Sequence, residues 1–164
     1  MSVVDAWMST CPRHPPASST RPTGWSSPSV YSNGDTMQAI AAEGITYTID
    51  QMDSDIISRL KTPDGSLILL PYPVVTVDMG QHLARMKTPT EIETLWLDYV
   101  LELAREARAD PAREATTVVI GIHPFVIGTP DGAAALRRVL SRLKKDEMVW
   151  LTDTETILKA AGLK

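Results

Sequence analysis

His14, His82 and His123 are the only imidazoles in the chain, and no two stand at the i, i+4 spacing that puts a pair of metal ligands on one helix face. His123 is the most informative of them. It ends the charge-free, mostly β-branched run from Thr116 to Ile122, and Pro124 follows at once. In α/β folds, side chains at the C-terminal ends of strands leave the packed layers and meet the loops, where functional groups gather. An imidazole in that place suits general acid or base chemistry, or it caps the strand through a backbone hydrogen bond. Both readings are open from position alone.

Other residues carry chemistry less sharply. Gly24-Trp25-Ser26-Ser27-Pro28 sets an indole and two hydroxyls before a proline, which fits a pocket wall or a core tryptophan at a strand end. Asp50, Asp53 and Asp55 could bind a hard cation or tune one another's protonation, or stand as solvated loop acids. Asp78, just past Pro73 to Val77, is a further carboxylate at a strand end, with the same two readings. Trp96 and Trp150 fall on helix and strand positions that read as packing. The chain has no GxGxxG, P-loop, GxSxG or CxxC, so nucleotide binding and the common nucleophilic hydrolase schemes lack support. The single Cys11 excludes an intramolecular disulfide and a thiolate metal cluster.

The 164 residues are 43% apolar and 22% charged, the range of an ordinary globular domain. A formal net charge of -4 with interspersed signs leaves no basic stripe for phosphates or anionic lipid, so neither nucleic acid nor membrane is an expected partner. The longest apolar run, Leu67 to Leu70, is far below the roughly 20 residues that span a bilayer. Met1 to Trp7 carries no Lys or Arg and leads into no Leu-rich stretch, so no secretory signal is expected, and the expected location is the cytoplasm.

The elements that must position these groups follow from punctuation and period. Residues 1 to 22 are rich in Pro, Ser and Thr and lack Leu and Ile, which predicts a disordered arm before one region over 23 to 164. Gly24 to Pro28 predicts a short strand running into a loop. A helix capped by Asp35 should follow and stop at Gly44, then a strand over Ile45 to Ile49, an acidic loop, and a buried strand over Leu67 to Leu70. The clearest helix is Pro89 to Ala109. Thr88 and Glu91 form a capping box, Pro89 opens the first turn, and Ile92, Leu95, Trp96, Tyr99, Val100 and Leu103 make one apolar stripe. Thr116 to Ile122 reads as a central strand, Pro124 to Gly128 as a loop and Pro130 to Lys145 as a helix. Met148 to Leu151 reads as a strand, and Thr154 to Ala161 as a last helix. Strands alternating with helices argue for an α/β fold with a mainly parallel sheet.

Several of these strings resemble the polysaccharide deacetylase (NodB homology) family. Gly24 to Pro28, Thr36 to Gly44 and Tyr47 to Asp55 are similar to its third and fourth motif regions. Leu69-Leu70-Pro71-Tyr72-Pro73 with Asp78, Ile120-Gly121-Ile122-His123-Pro124 with Ile127-Gly128, and Val149-Trp150-Leu151-Thr152 resemble the peptidoglycan-deacetylase-like and allantoinase-like branch. The resemblance covers 22 to 160 and implies the C-terminal half of a distorted (β/α) barrel. It implies hydrolysis of a non-peptide carbon–nitrogen bond, in a carbohydrate or a small cyclic amide, by water on zinc or another divalent metal held by one Asp and two His. His123 takes the place of the late histidine that acts as acid toward the leaving amine, while Trp25, Pro28, Asp50 and Asp78 are the expected substrate contacts.

The departures are as informative. The family's early aspartate pair and its His-x-x-x-His segment have no counterpart, and Ser26 stands where many members carry an arginine. No metal ligands are therefore expected in this chain, and little hydrolysis by it alone. A half barrel would also leave an unpaired edge and uncovered faces on Leu67 to Leu70 and Thr116 to Ile122. Closure on itself, a homo-oligomer, a separately encoded N-terminal half or a truncated product would each answer this, and a non-catalytic interaction or regulatory module is the competing class.

Overall fold

Short strands and longer helices alternate along residues 22–110 and 116–163, which the computed structural model describes, and they fall into two compact units. The predicted arm over residues 1 to 22 lies, but for Pro22, outside the described residues. No helix among the described residues is long and apolar enough to cross a membrane.

The first unit holds residues 22–50 and Ser58–Leu70. Its sheet begins with β1 (Gly24–Trp25), which pairs in parallel with β2 (Tyr47–Gln51) in the register Gly24 to Tyr47 and Trp25 to Thr48. Between them runs α1 (Gly34–Ala42). Its cap is Asn33, whose side chain accepts the Thr36 N–H at 2.9 Å; Asp35 lies within the first turn, so the helix starts earlier than the expected cap. Gly44, at φ 80°, turns the chain out of the helix in the left-handed region. The next strand begins at Tyr47 rather than Ile45, and it carries Asp50 out of the predicted acidic loop and into the sheet.

β3 (Ser58–Thr62) and β4 (Gly65–Pro71) form an antiparallel hairpin, paired from Ser58 with Leu69 to Thr62 with Gly65, and the strand order is β1-β2-β4-β3. β3 has no counterpart among the expected strands. All but Leu60 of its residues are polar, and they alternate between half-buried and exposed, as an edge strand allows, so its signal lies in its partner rather than in its own hydrophobicity. β4 is the buried strand that was expected. Leu67, Ile68 and Leu70 are all covered, against the expectation of a bare face, and Leu67 joins Ile40 and Ala41 in a core flanked by Trp25 and Met37.

The second unit holds Gln51–Ile57 and residues 71–163. α2 spans Pro89–Ala109 with the expected capping box, Glu91 Oε2 accepting the Thr88 N–H at 2.8 Å. A single turn, α3 (Pro124–Ile127), replaces the predicted loop. Pro124 supplies the fixed φ of a first helical turn, and the N–H groups of Val126 and Ile127 reach His123 O. α4 (Pro130–Leu143) packs on α2, and Ile92, Trp96, Ile127, Val139 and Leu143 form their shared core. Arg138 clasps Glu93 across the two helices at 2.5 to 2.9 Å. The chain ends with α5 (Thr154–Ala160), capped by Asp153.

Two predicted strands of this unit do not form. Thr116 to Ile122 makes only one parallel bridge, Val77 with Gly121, and a bond from Thr117 N–H to Asp55 O at 3.3 Å. The facing segment explains this. After Pro71 and Pro73 the chain curls into a 3₁₀ turn over Val74–Thr76, so no straight backbone lies alongside to ladder with. Met148 to Leu151 likewise pairs with no strand among the described residues, and Trp150, expected in packing, is 62% exposed. The overall class is nevertheless the mixed α/β arrangement that was expected.

Candidate functional site

Asp78 is fully buried, yet every oxygen of its carboxylate is engaged. Oδ1 accepts the backbone N–H of Met79 and the ring Nδ1–H of His123, both at 2.6 Å, and Oδ2 accepts the His123 backbone N–H at 2.7 Å. A carboxylate only accepts, so Nδ1 must be the donor, and the other ring nitrogen, Nε2, is left to hold or give up a proton. The His123 side chain is 30% exposed, so the imidazole has one end anchored and one end open. The Phe125 ring meets it edge-on at 5.4 Å.

Local backbone puts these groups together. Asp78 N–H donates to Gly121 O at 3.0 Å, and Gly121 N–H donates to Thr76 O at 3.3 Å, which locks 76–78 against 121. The Thr76 hydroxyl lies 2.7 Å from Val119 O, and its carbonyl takes the indole N–H of Trp96 at 2.9 Å. The 3₁₀ turn before Asp78 and the π turn Gly80–Ala84 after it make the carboxylate a pivot between two irregular segments. Such turns recur at functional sites.

Gly121 is required by contact. The Tyr72 hydroxyl stands where a Cβ would go, and Val77 Cγ1 lies 3.2 Å from that place. Gly121→Ala is expected to cost about 1–3 kcal/mol in urea denaturation through overpacking. In a Tyr72→Phe background the cost should shrink, since the obstructing oxygen is gone; an equal cost in both would clear the hydroxyl as the obstacle.

Of the other candidates, Trp25, Pro28 and Asp50 lie in the first unit, and Asp53, Asp55 and His82 in the second. Asp50 Oδ1 accepts the Ser27 N–H at 2.9 Å, and the Trp25 indole N–H donates to Ser27 Oγ at 2.9 Å. Asp50 Oδ2 is buried without a hydrogen-bond partner among the described residues. Pro28 is exposed and opens a turn in which Ser29 and Val30 take φ of 56° and 57°, a strained choice for a β-branched residue. Asp53 is exposed, and Asp55 presents its carbonyl to Thr117. His82 bonds Lys87 O at 2.9 Å, closing its own turn, and His14 lies outside the described residues.

Among the described residues no group of three or more His, Cys, Asp or Glu side chains could hold a metal ion. The ligand set implied by the resemblance therefore does not fit them. Two residues near Asp78 in the fold were not singled out in the sequence reading. Tyr72 stands in the Leu69 to Pro73 string without a role of its own, and Gln81, buried with its amide N–H on Val75 O at 2.9 Å, lies in a turn that no helical or strand period reveals.

No family model matches the sequence, and no curated protein matches it. Solved structures do. A protein described as a polysaccharide deacetylase from Mycobacterium smegmatis is 28% identical, with a TM-score of 0.73 over 88% of this chain and 52% of that one. The PuuE allantoinase is 25% identical, with a TM-score of 0.71 over 88% and 48%. A protein described as a probable polysaccharide deacetylase from Pseudomonas aeruginosa PAO1, 24% identical, shares the fold with a TM-score of 0.73 over 85% and 46%. The chain thus has the NodB-type α/β fold of the polysaccharide deacetylases and of allantoinase, and it spans about half the length of the structures it matches.

Proposed function

We propose that this chain carries the acid–base part of a site that hydrolyses a non-peptide carbon–nitrogen bond, either the N-acetyl group of a carbohydrate or a small cyclic amide. The observation that supports this best is the buried Asp78 carboxylate on Nδ1 of a half-exposed His123. Held in one tautomer and one orientation, His123 keeps Nε2 free to protonate a leaving amine, and Asp78 steadies the imidazolium when it carries the proton. On the resemblance alone, Trp25, Pro28 and Asp50 are proposed as substrate contacts. Zinc or another divalent metal supplies an activated water in the family chemistry; the described residues lack the ligands for it, so no step is derived through it.

In this reading the metal ligands come from a separately supplied half, and the chain by itself hydrolyses little. Combined with a polypeptide bearing one Asp and two His ligands, it is expected to release acetate from N-acetylated sugars or to open allantoin. His123→Ala should then lower the rate by roughly 10²-fold or more, about 2.7 kcal/mol of transition-state stabilisation. An unchanged rate would remove His123 from the mechanism. The second reading, a non-catalytic interaction module, draws on the exposed Phe125, Trp150 and Leu151. It predicts no hydrolysis in any combination.

A further inference from the structure

Tyr72 lies in the same unit as the dyad and has no part in the reading above. Its backbone N–H is tied to Gln51 O at 2.6 Å, and its ring reaches over Gly121, Cζ lying 3.0 Å from where a Cβ would be. Gly121 is itself bonded to Asp78 and to Thr76, and His123 follows two residues later. The phenol therefore rests on the short backbone that joins the two members of the dyad.

The hydroxyl is unemployed there. Among the described residues it has no hydrogen-bond partner, although the side chain is half-buried. Its oxygen is not fully buried, so the donor stands open to an incoming group. Burial first, and then the negative charge of Asp78, push this phenol above its ordinary value. It consequently keeps its proton throughout the neutral range, and what it offers a visitor is a donor.

We propose that the Tyr72 hydroxyl is a specificity-determining donor of this site, giving its hydrogen bond to the carbonyl oxygen of an amide or ureide presented to His123. The inference rests on the acid–base reading of His123 and Asp78. A carbonyl oxygen only accepts, which matches a lone donor; an approaching carboxylate would also accept, but it would meet the Asp78 charge.

The test uses the full chain, titrated separately with N-acetylglucosamine and with allantoin, and followed by NMR at the Gly121 amide and the His123 ring. At least one probe is expected to shift both signals. Tyr72→Phe keeps the ring on Gly121 and removes only the donor. It should weaken that probe about 5- to 10-fold, the value of one neutral hydrogen bond, while the His123 Nδ1–H resonance stays as in the wild type. Equal affinity for the wild type and Tyr72→Phe would overturn the inference, as would a failure of both probes to bind the wild type. His123→Gln keeps the two readings apart. A probe that binds Tyr72→Phe normally but His123→Gln poorly removes Tyr72 and leaves the dyad standing, whereas failure of the dyad reading appears as unchanged hydrolysis in His123→Ala.

Discussion

Trp96→Ala is expected to cost about 3–5 kcal/mol, the range for truncating a fully buried aromatic side chain. Trp96 has no exposed surface and stands in the core between α2 and α4 with Ile92, Val139 and Leu143. Its indole N–H also bonds Thr76 O at 2.9 Å, so truncation opens a cavity and takes the shorter of two hydrogen bonds from that carbonyl. Domains are stable by only about 5–15 kcal/mol, so this one change removes a large share of the total. The effect should reach the site as well, because the same Thr76 carbonyl takes the Gly121 N–H. Urea denaturation followed by far-UV circular dichroism measures it, with Trp150→Ala as the control. Trp150 is 62% exposed and should change stability by no more than about 0.5 kcal/mol. A loss below about 1 kcal/mol for Trp96→Ala would mean that the helix pair is not packed as described.

Asp78→Asn is expected to impair function nearly as much as the loss of His123 itself. The carboxylate takes three donors, two on Oδ1 and one on Oδ2. An amide of the same shape has one accepting oxygen. Whichever way it turns, an NH₂ group faces an N–H, and a buried donor loses its partner at a cost of about 1–3 kcal/mol. The functional loss is greater, because nothing then holds the His123 tautomer that leaves Nε2 to act. Hydrolysis in the combined system should fall on the order of 10²- to 10³-fold, and no further than in His123→Ala, through which Asp78 acts. A hydrogen-bonded Nδ1–H resonance in the NMR spectrum is the second readout, expected in the wild type and absent in Asp78→Asn. If the variant kept both the resonance and the rate, Asp78 would be a packing group and nothing more.

Comparison of particular elements shows where sequence reading succeeds. Thr88, Pro89 and Glu91 announce the start of α2, and its observed bounds, Pro89–Ala109, are the expected ones. α4 and α5 fall within a few residues of their predicted spans. Thr116 to Ile122 has the composition of a buried strand and still forms none, because the prolines at 71 and 73 curl the chain it would need beside it. β3, by contrast, is weak in composition and forms because β4 is there to pair with it. His123 and Asp78 were both legible as candidates, yet their pairing was not, since 45 residues separate them and no local pattern encodes it.

What the sequence determined by itself was therefore its helices, the buried stripe of α2, the charge balance that leaves no basic stripe, and the α/β family resemblance. What only the tertiary structure decided was which extended segments became strands, that Trp150 faces outward, that Asp78 holds His123, and that Tyr72 lies on Gly121. The physical reason is the range of the interactions. A helix closes its hydrogen bonds within four residues and caps itself from its own neighbours. A strand, or a site, is completed only by groups brought from elsewhere in the chain.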